Sequence, residues 1–253
     1  MNQATYRQAK NPNRWQRTFS PTASFWFLAA AVIFFVYIPF FVGEYTLRQQ
    51  QIARGADPFG ALPVLGSDSY EYATLAKNLV EGNGFSIDSV SPFKPDTFRT
   101  IGYPGLVALY LVRGLPLAAF PLIQMLLAVL TAYGIFLIGK NFWRASVGIF
   151  AGLLYLIDPV TIVNTLTIVT DIFYVFLLVW AIYFFFSSQL GQKTAWALGG
   201  LFLGLSTLVR PISMFLLIVF FIFYAVKNRR QSIAPIIISL LVYIAVVSPW
   251  VIR

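Results

Sequence analysis

The 253-residue chain is 58% hydrophobic, 17% aromatic and 11% charged, with a mean hydropathy of +0.76; an ordinary soluble domain carries about 25% charged residues, so this composition describes an integral membrane protein. The net charge of +9 does not mark a nucleic-acid binder, because the basic residues stand in short clusters at the ends of apolar runs, where membrane topology accounts for them. With no Cys and no His, disulfide and thiolate chemistry are excluded, as are the commonest metal ligand and the commonest general base. Any proton-handling side chain is therefore a carboxylate, Lys or Tyr.

In chain order, residues 1–22 form a basic segment with Arg7, Lys10, Arg14 and Arg17. The apolar run that follows, about 23–43, is too long for a signal-peptide core and lacks a small-residue cleavage pattern, so it reads as a retained first helix. Residues 44–115 then make a long connection that holds Glu44, Asp57, Asp68, Glu71, Glu81, Asp88 and Asp96; a connection of that length is usually functional or carries its own structure. Within it, "DSYEYATLAKNLVEGNGF" predicts a short amphipathic helix lying on the membrane surface. Tyr72, Leu75, Ala76 and Leu79 recur at helical spacing, and Gly82 with Gly84 ends it.

Six further apolar segments follow at about 116–139, 145–164, 168–187, 195–209, 211–226 and 233–251. As one helix, the stretch from 195 to 226 would measure about 48 Å, well beyond a bilayer core of about 30 Å. Pro211 removes a helix donor and disfavours helix at the preceding residue, which predicts a break at Arg210-Pro211. The predicted fold is thus an all-α polytopic membrane protein of about seven transmembrane helices, 23–253, with a long helix-containing first extracytoplasmic loop over 44–115.

The charges support this topology independently. With a cytoplasmic N-terminus, the inner segments hold Arg7, Lys10, Arg14, Arg17, Lys140, Arg144, Lys193, Lys227, Arg229 and Arg230 and no acid. All nine acids, including Asp158 and Asp171, fall on the opposite side or at its boundary. Such a basic bias sets orientation in membrane proteins. No internal repeat, low-complexity tract, Gly-rich phosphate loop, zinc spacing or calcium loop is present, and neither a metal nor a cofactor is expected.

Taken together, "DSYEYATLAKNLVEGNGFS", "FRTIGYPGLVALYL", "TIVTDIFYVFLL", "LSTLVRPISMFL" and "SPWVIR" resemble the membrane glycosyltransferases of the GT-C fold. The similarity is greatest to the family 39 branch, which contains protein O-mannosyltransferases, lipid A aminoarabinose transferases and lipopolysaccharide-core transferases of rhizobia. It covers residues 66 to 253 with order and spacing preserved. Two positions depart from the usual pattern: Ile101 stands where the family has Pro, and Asp171 where many members have Glu. The resemblance implies a bacterial plasma (inner) membrane enzyme with a cytoplasmic N-terminus and an extracytoplasmic site. It would transfer a sugar, with inversion, from a polyprenyl-phosphate donor to a hydroxyl of a lipid, glycan or protein acceptor. Members carry further helices and often a soluble domain, so the chain, ending in "VVSPWVIR", reads as an amino-terminal module, inactive alone.

Such a displacement needs a carboxylate to take the acceptor proton and cations to hold the leaving lipid phosphate. Asp68 matches the family's first-loop acid and is the candidate base; at the start of a helix it is equally suited to capping backbone donors. Glu71 reads as a solvated loop charge. Arg210 interrupts a long apolar stretch, where an ionisable group is costly and a functional candidate; it either binds the donor phosphate or snorkels to the headgroups. Arg99 matches a basic family position and is a second phosphate-binding candidate or an interfacial anchor, and Lys94 is a third. Asp171, matching a family acid, either caps its helix or orients acceptor or base. Tyr72 and Tyr103 are candidates for lining the sugar site, and Asp158-Pro159 reads as a helix end. Two other classes remain. A transporter or flippase-like protein would place ionisable groups along a central pathway, and these helices carry few away from their ends. A non-catalytic membrane scaffold would leave the first-loop acids without a role.

Overall fold

The computed structural model describes residues 20–55, 67–186, 190–227 and 233–252, and among these all regular structure is helical. The basic segment through residue 19, Asp57 and Arg253 lie outside the described residues. Helix α1, Pro21–Ala53, starts where Ser20 accepts a hydrogen bond from the Ala23 backbone at 3.1 Å and Pro21 presets the first turn. It contains one π-helical turn over Ile33–Tyr37. It also continues past the apolar run ending at Gly43, because Glu44, Leu47, Arg48 and Gln49 to Gln51 are strong helix formers that a hydropathy pattern does not register.

Helix α2, Ser67–Glu81, carries Asp68 in its first turn. It stops where Gly82 and Gly84 adopt φ of +80° and +83°, a region that side-chain-bearing residues rarely enter. Then come α3, Gly102–Leu111; α4, Pro121–Phe142; α5, Ala145–Ile157; and α6, Pro159–Leu166. α5 and α6 meet at a 55° bend. Its cause is Pro159, which holds Asp158 in an extended conformation, and Asp158 Oδ2 then caps α6 by accepting from Thr161 N at 2.8 Å. The remaining helices are α7, Asp171–Phe186; α8, Gln192–Val209; α9, Met214–Lys227; and α10, Ala234–Ile252. Between α8 and α9 the chain breaks at Arg210, extended at φ −137° and ψ 113°, before a single 3₁₀ turn over Pro211–Ser213.

Three helices, α1, Leu117–Phe142 (α4 with its preceding turn) and α10, are long and apolar enough to cross a membrane alone, and the bent α5–α6 pair makes a fourth if counted as one span. α3, α7 and the Pro211–Val226 stretch are apolar but shorter. Much of the apolar surface faces outward: Phe27, Phe35 and Leu109 are each at least 70% exposed. Water would not tolerate such a continuous surface, whereas lipid solvates it without cost.

Inside, the helices meet in a buried cluster that seats α2 and α3 on the bundle. Ala73 and Ala76 of α2, Tyr103 and Val107 of α3, Leu177 of α7 and Val209 of α8 are all in it, with Phe120 and Ile168. Phe85, just after α2, packs edge-on against Trp250 of α10 with ring centroids 5.0 Å apart. The C-terminal ends of α8 and α10 and the N-terminal end of α7 therefore gather at the end of the molecule that carries α2 and α3.

A paired arginine–carboxylate site

The first two turns of α2 place Asp68, Glu71 and Tyr72 on one face, because residues three and four apart are helical neighbours. All three contact Arg99, which arrives from the loop after α2. Its Nε donates to Glu71 Oε2 at 2.7 Å and Nη2 contacts that same oxygen. Nη2 also donates to Asp68 Oδ1 at 3.0 Å, and Nη1 to the Tyr72 hydroxyl at 3.2 Å. The guanidinium carbon lies 4.8 Å from the Tyr72 ring centroid, within cation–π range. Asp96 fixes the approach by accepting from the backbone of Phe98 and Arg99.

Arg99 is 11% exposed at its side chain, against 60% for Asp68 and 32% for Glu71. Partial burial opposes its charge, but the hydrogen bonds to Glu71 and Asp68 outweigh that effect and hold its pKa above the ordinary arginine value. It is a permanent, fixed cation, and Asp68 is the more accessible of its carboxylate partners. Glu71 corrects the sequence expectation of a solvated loop charge. It takes two of the guanidinium's donors, and the signal that could have revealed it was its position three residues from Asp68 on the same helical face.

A second pair stands beside the first. Arg210 Nη2 contacts Asp171 Oδ2 at 2.8 Å, and its Nε and Nη2 both donate to the buried Thr170 hydroxyl, at 2.9 and 2.8 Å. Its guanidinium lies over Tyr174 at 5.3 Å. Thr100 joins the two pairs, donating from Oγ1 to the Val209 carbonyl at 3.0 Å, so that Arg99-Thr100 adjoins Val209-Arg210. Gly102 makes that approach feasible: a Cβ there would lie 2.5 Å from the Leu208 carbonyl oxygen.

The other predicted residues are distributed unequally. Tyr103 lies behind Tyr72, edge-on to it at 5.2 Å, only 1% exposed and with its hydroxyl donated to Gln124 Oε1 at 2.9 Å. It backs the site rather than forming its surface. Gln124, which no sequence pattern singles out, is fully buried and uses its amide to satisfy the Thr165 and Thr167 carbonyls in the irregular chain between α6 and α7. Lys94 is exposed, and its backbone N–H donates to Asp88. Beside Gly102, an open groove of about 450 Å³ runs between α2, α3, α7 and α8, lined almost wholly by apolar residues such as Leu79, Leu106, Leu109 and Phe173.

All-helical among the described residues and with an outward-facing apolar surface, the chain is of the class of integral membrane proteins, and its arginine–carboxylate pairs gather at one end. The family profile of dolichyl-phosphate-mannose-protein mannosyltransferases matches residues 106–252, more than half of the chain, and the chain belongs to that family. The family is one of membrane glycosyltransferases that use polyprenyl-phosphate sugar donors. The match includes Thr170, Asp171 and Arg210, while Asp68, Glu71 and Arg99 precede it. Comparison with curated proteins and with solved structures yields no match.

Proposed function

We propose that the chain transfers a sugar from a polyprenyl-phosphate donor to an acceptor hydroxyl on the extracytoplasmic side, with inversion at the anomeric carbon. The observation that carries this proposal is the adjacency of two arginines, each with a carboxylate partner, next to an apolar groove. The lipid tail occupies the groove and its phosphate lies between Arg99 and Arg210, whose guanidinium forks suit phosphate oxygens. Asp68 takes the proton of the acceptor hydroxyl. The acceptor oxygen bonds to the anomeric carbon as the bond from that carbon to the phosphate oxygen breaks, and the lipid phosphate leaves with the electron pair, stabilised by the two cations.

Asp68 suits the base role better than Glu71 because it is more exposed and engages Arg99 through one hydrogen bond, to Oδ1. Asp171 and Thr170 act as positioning groups for Arg210, and Tyr72 borders the sugar. Lys94 has no part in this geometry. We also infer seven crossings with a cytoplasmic N-terminus. This orientation is supported by Lys140, Arg144 and Lys193, which lie at the ends of α4, α5 and α8 remote from the arginine pairs.

The test is Asp68→Asn in the full-length protein, assayed for transfer from a polyprenyl-phospho-sugar. The expected result is loss of transfer by about 10²-fold or more, with donor binding retained. Transfer at the unmodified rate would remove Asp68 from the base role.

A further inference from the structure

A third charged pair, away from Arg99 and Arg210, marks the outer part of α1. Near its middle, α1 is tied to the bundle by Tyr37, which donates to the Leu156 carbonyl at 3.0 Å and packs with Met125 and Leu166. Beyond that tie a cavity of about 560 Å³ opens between α1 and α6, within the size range of small-molecule sites. Its walls are Phe40, Glu44 and Arg48 from α1, spaced one helical turn apart on a single face, and chiefly Ile162, Val163 and Leu166 from α6. Phe40 belongs to the apolar run of α1, whereas Arg48 stands two turns further along, past its end.

The charges are unusual for such a place. The Arg48 side chain is only 10% exposed, and Glu44, one turn earlier, accepts from its Nη2 at 3.0 Å. Among the described residues, Glu44 is the single hydrogen-bond partner of this guanidinium, which has five N–H donors to place. Glu44 itself is half exposed. The cavity thus combines a greasy wall with a cation and a carboxylate held side by side where the apolar run of α1 gives way to polar residues. A ligand bearing only negative charge would meet Arg48 but also Glu44, so the pair favours a head that carries both signs.

We propose that this cavity binds a phospholipid with a phosphoethanolamine headgroup. One acyl chain lies along Phe40, Ile162 and Val163, the phosphate accepts from Arg48, and the ammonium donates to Glu44. The site is independent of the proposed transfer reaction, since none of its lining residues belongs to the arginine pairs that border α2 and α8.

Native mass spectrometry of the detergent-purified chain, titrated with dioleoyl phosphatidylethanolamine or dioleoyl phosphatidylglycerol, tests this. One phosphatidylethanolamine is expected to bind about tenfold more tightly than phosphatidylglycerol, as one charge-assisted hydrogen bond would give. Arg48→Gln lowers that affinity by about tenfold or more. Glu44→Gln keeps the lipid but erases the preference over phosphatidylglycerol. Val163→Trp fills the cavity without touching a charge and weakens both lipids, which keeps the test valid if Arg48→Gln folds poorly. Equal binding of the two lipids by the unmodified chain would overturn the proposal, as would Val163→Trp retaining phosphatidylethanolamine at the original affinity. So would displacement of the bound lipid, one for one, by a polyprenyl phosphate, which would assign the cavity to the donor.

Discussion

Glu71→Gln separates the two ways of regarding this acid. A solvated loop carboxylate can be neutralised with an effect within about 0.5 kcal/mol. In the structure, however, Glu71 Oε2 receives two donors from an arginine that is 11% exposed. Hydrogen bonds to charged groups contribute about 1.5–3 kcal/mol. Because both donors share one oxygen and Glu71 is 32% exposed, the lower part of that range applies, about 1.5–2 kcal/mol. For a chain of this size, that lowers the unfolding midpoint by about 3–8 °C. Glu81→Gln is the control: Glu81 is half exposed and its Lys77 partner stands 3.8 Å away, so its loss is expected to be close to neutral. Thermal unfolding in detergent, followed by intrinsic fluorescence, reads both variants. The same substitution also changes the proposed chemistry in a definite direction. With Glu71 neutral, Arg99 turns its full charge onto Asp68, so transfer slows. One carboxylate that competes with the donor phosphate is gone, so the KM for donor does not rise. Identical unfolding midpoints for the two variants would refute the structural role of Glu71.

Three other substitutions probe the supports of the site. Gly102→Ala drives a methyl group into the Leu208 carbonyl and the Val209 side chain, contacts of 2.5 and 2.8 Å where backbone has little room to yield. It should cost about 1–3 kcal/mol and slow transfer by up to about 10²-fold through displacement of Arg99, read by unfolding and transfer assays. Tyr103→Phe leaves the buried Gln124 Oε1 without its donor and should destabilise by about 1–3 kcal/mol. Donor KM should stay unchanged in the same transfer assay, because Tyr103 does not reach the surface. Asp158→Ala removes the α6 cap and should cost about 0.5–2 kcal/mol, whereas Asp158→Asn, which keeps an acceptor, should recover most of it in the same melt.

Much of this architecture follows from local chemistry and was legible along the chain. Apolar runs of bilayer length exclude a soluble fold whatever their neighbours are. Gly82 and Gly84 end α2 through their own backbone freedom, and Pro159 and Pro211 break helices by removing a donor and restricting the residue before them. The candidate acids and arginines were legible as well, because a charged side chain is rare enough in such a chain to stand out. The far end of α1 was not, since its polar turns carry helix propensity but no hydropathy signal.

What the tertiary structure alone decided is which charge meets which. The sequence sets Asp68 apart as a candidate base and leaves Glu71 a solvated charge, but Arg99 reaches them from 31 and 28 residues away and binds Glu71 through two donors and Asp68 through one. Arg210 meets Thr170 and Asp171 across about 40 residues, and Thr100 joins both pairs through a single carbonyl 109 residues away. Tyr103 and Tyr72 share a composition and a neighbourhood, yet packing buries one and leaves the other at the site. Long-range ion pairs depend on where helices stop and how closely two backbones can pass, as Gly102 does beside Leu208. Those distances belong to the assembled bundle, and no periodicity within a single helix records them.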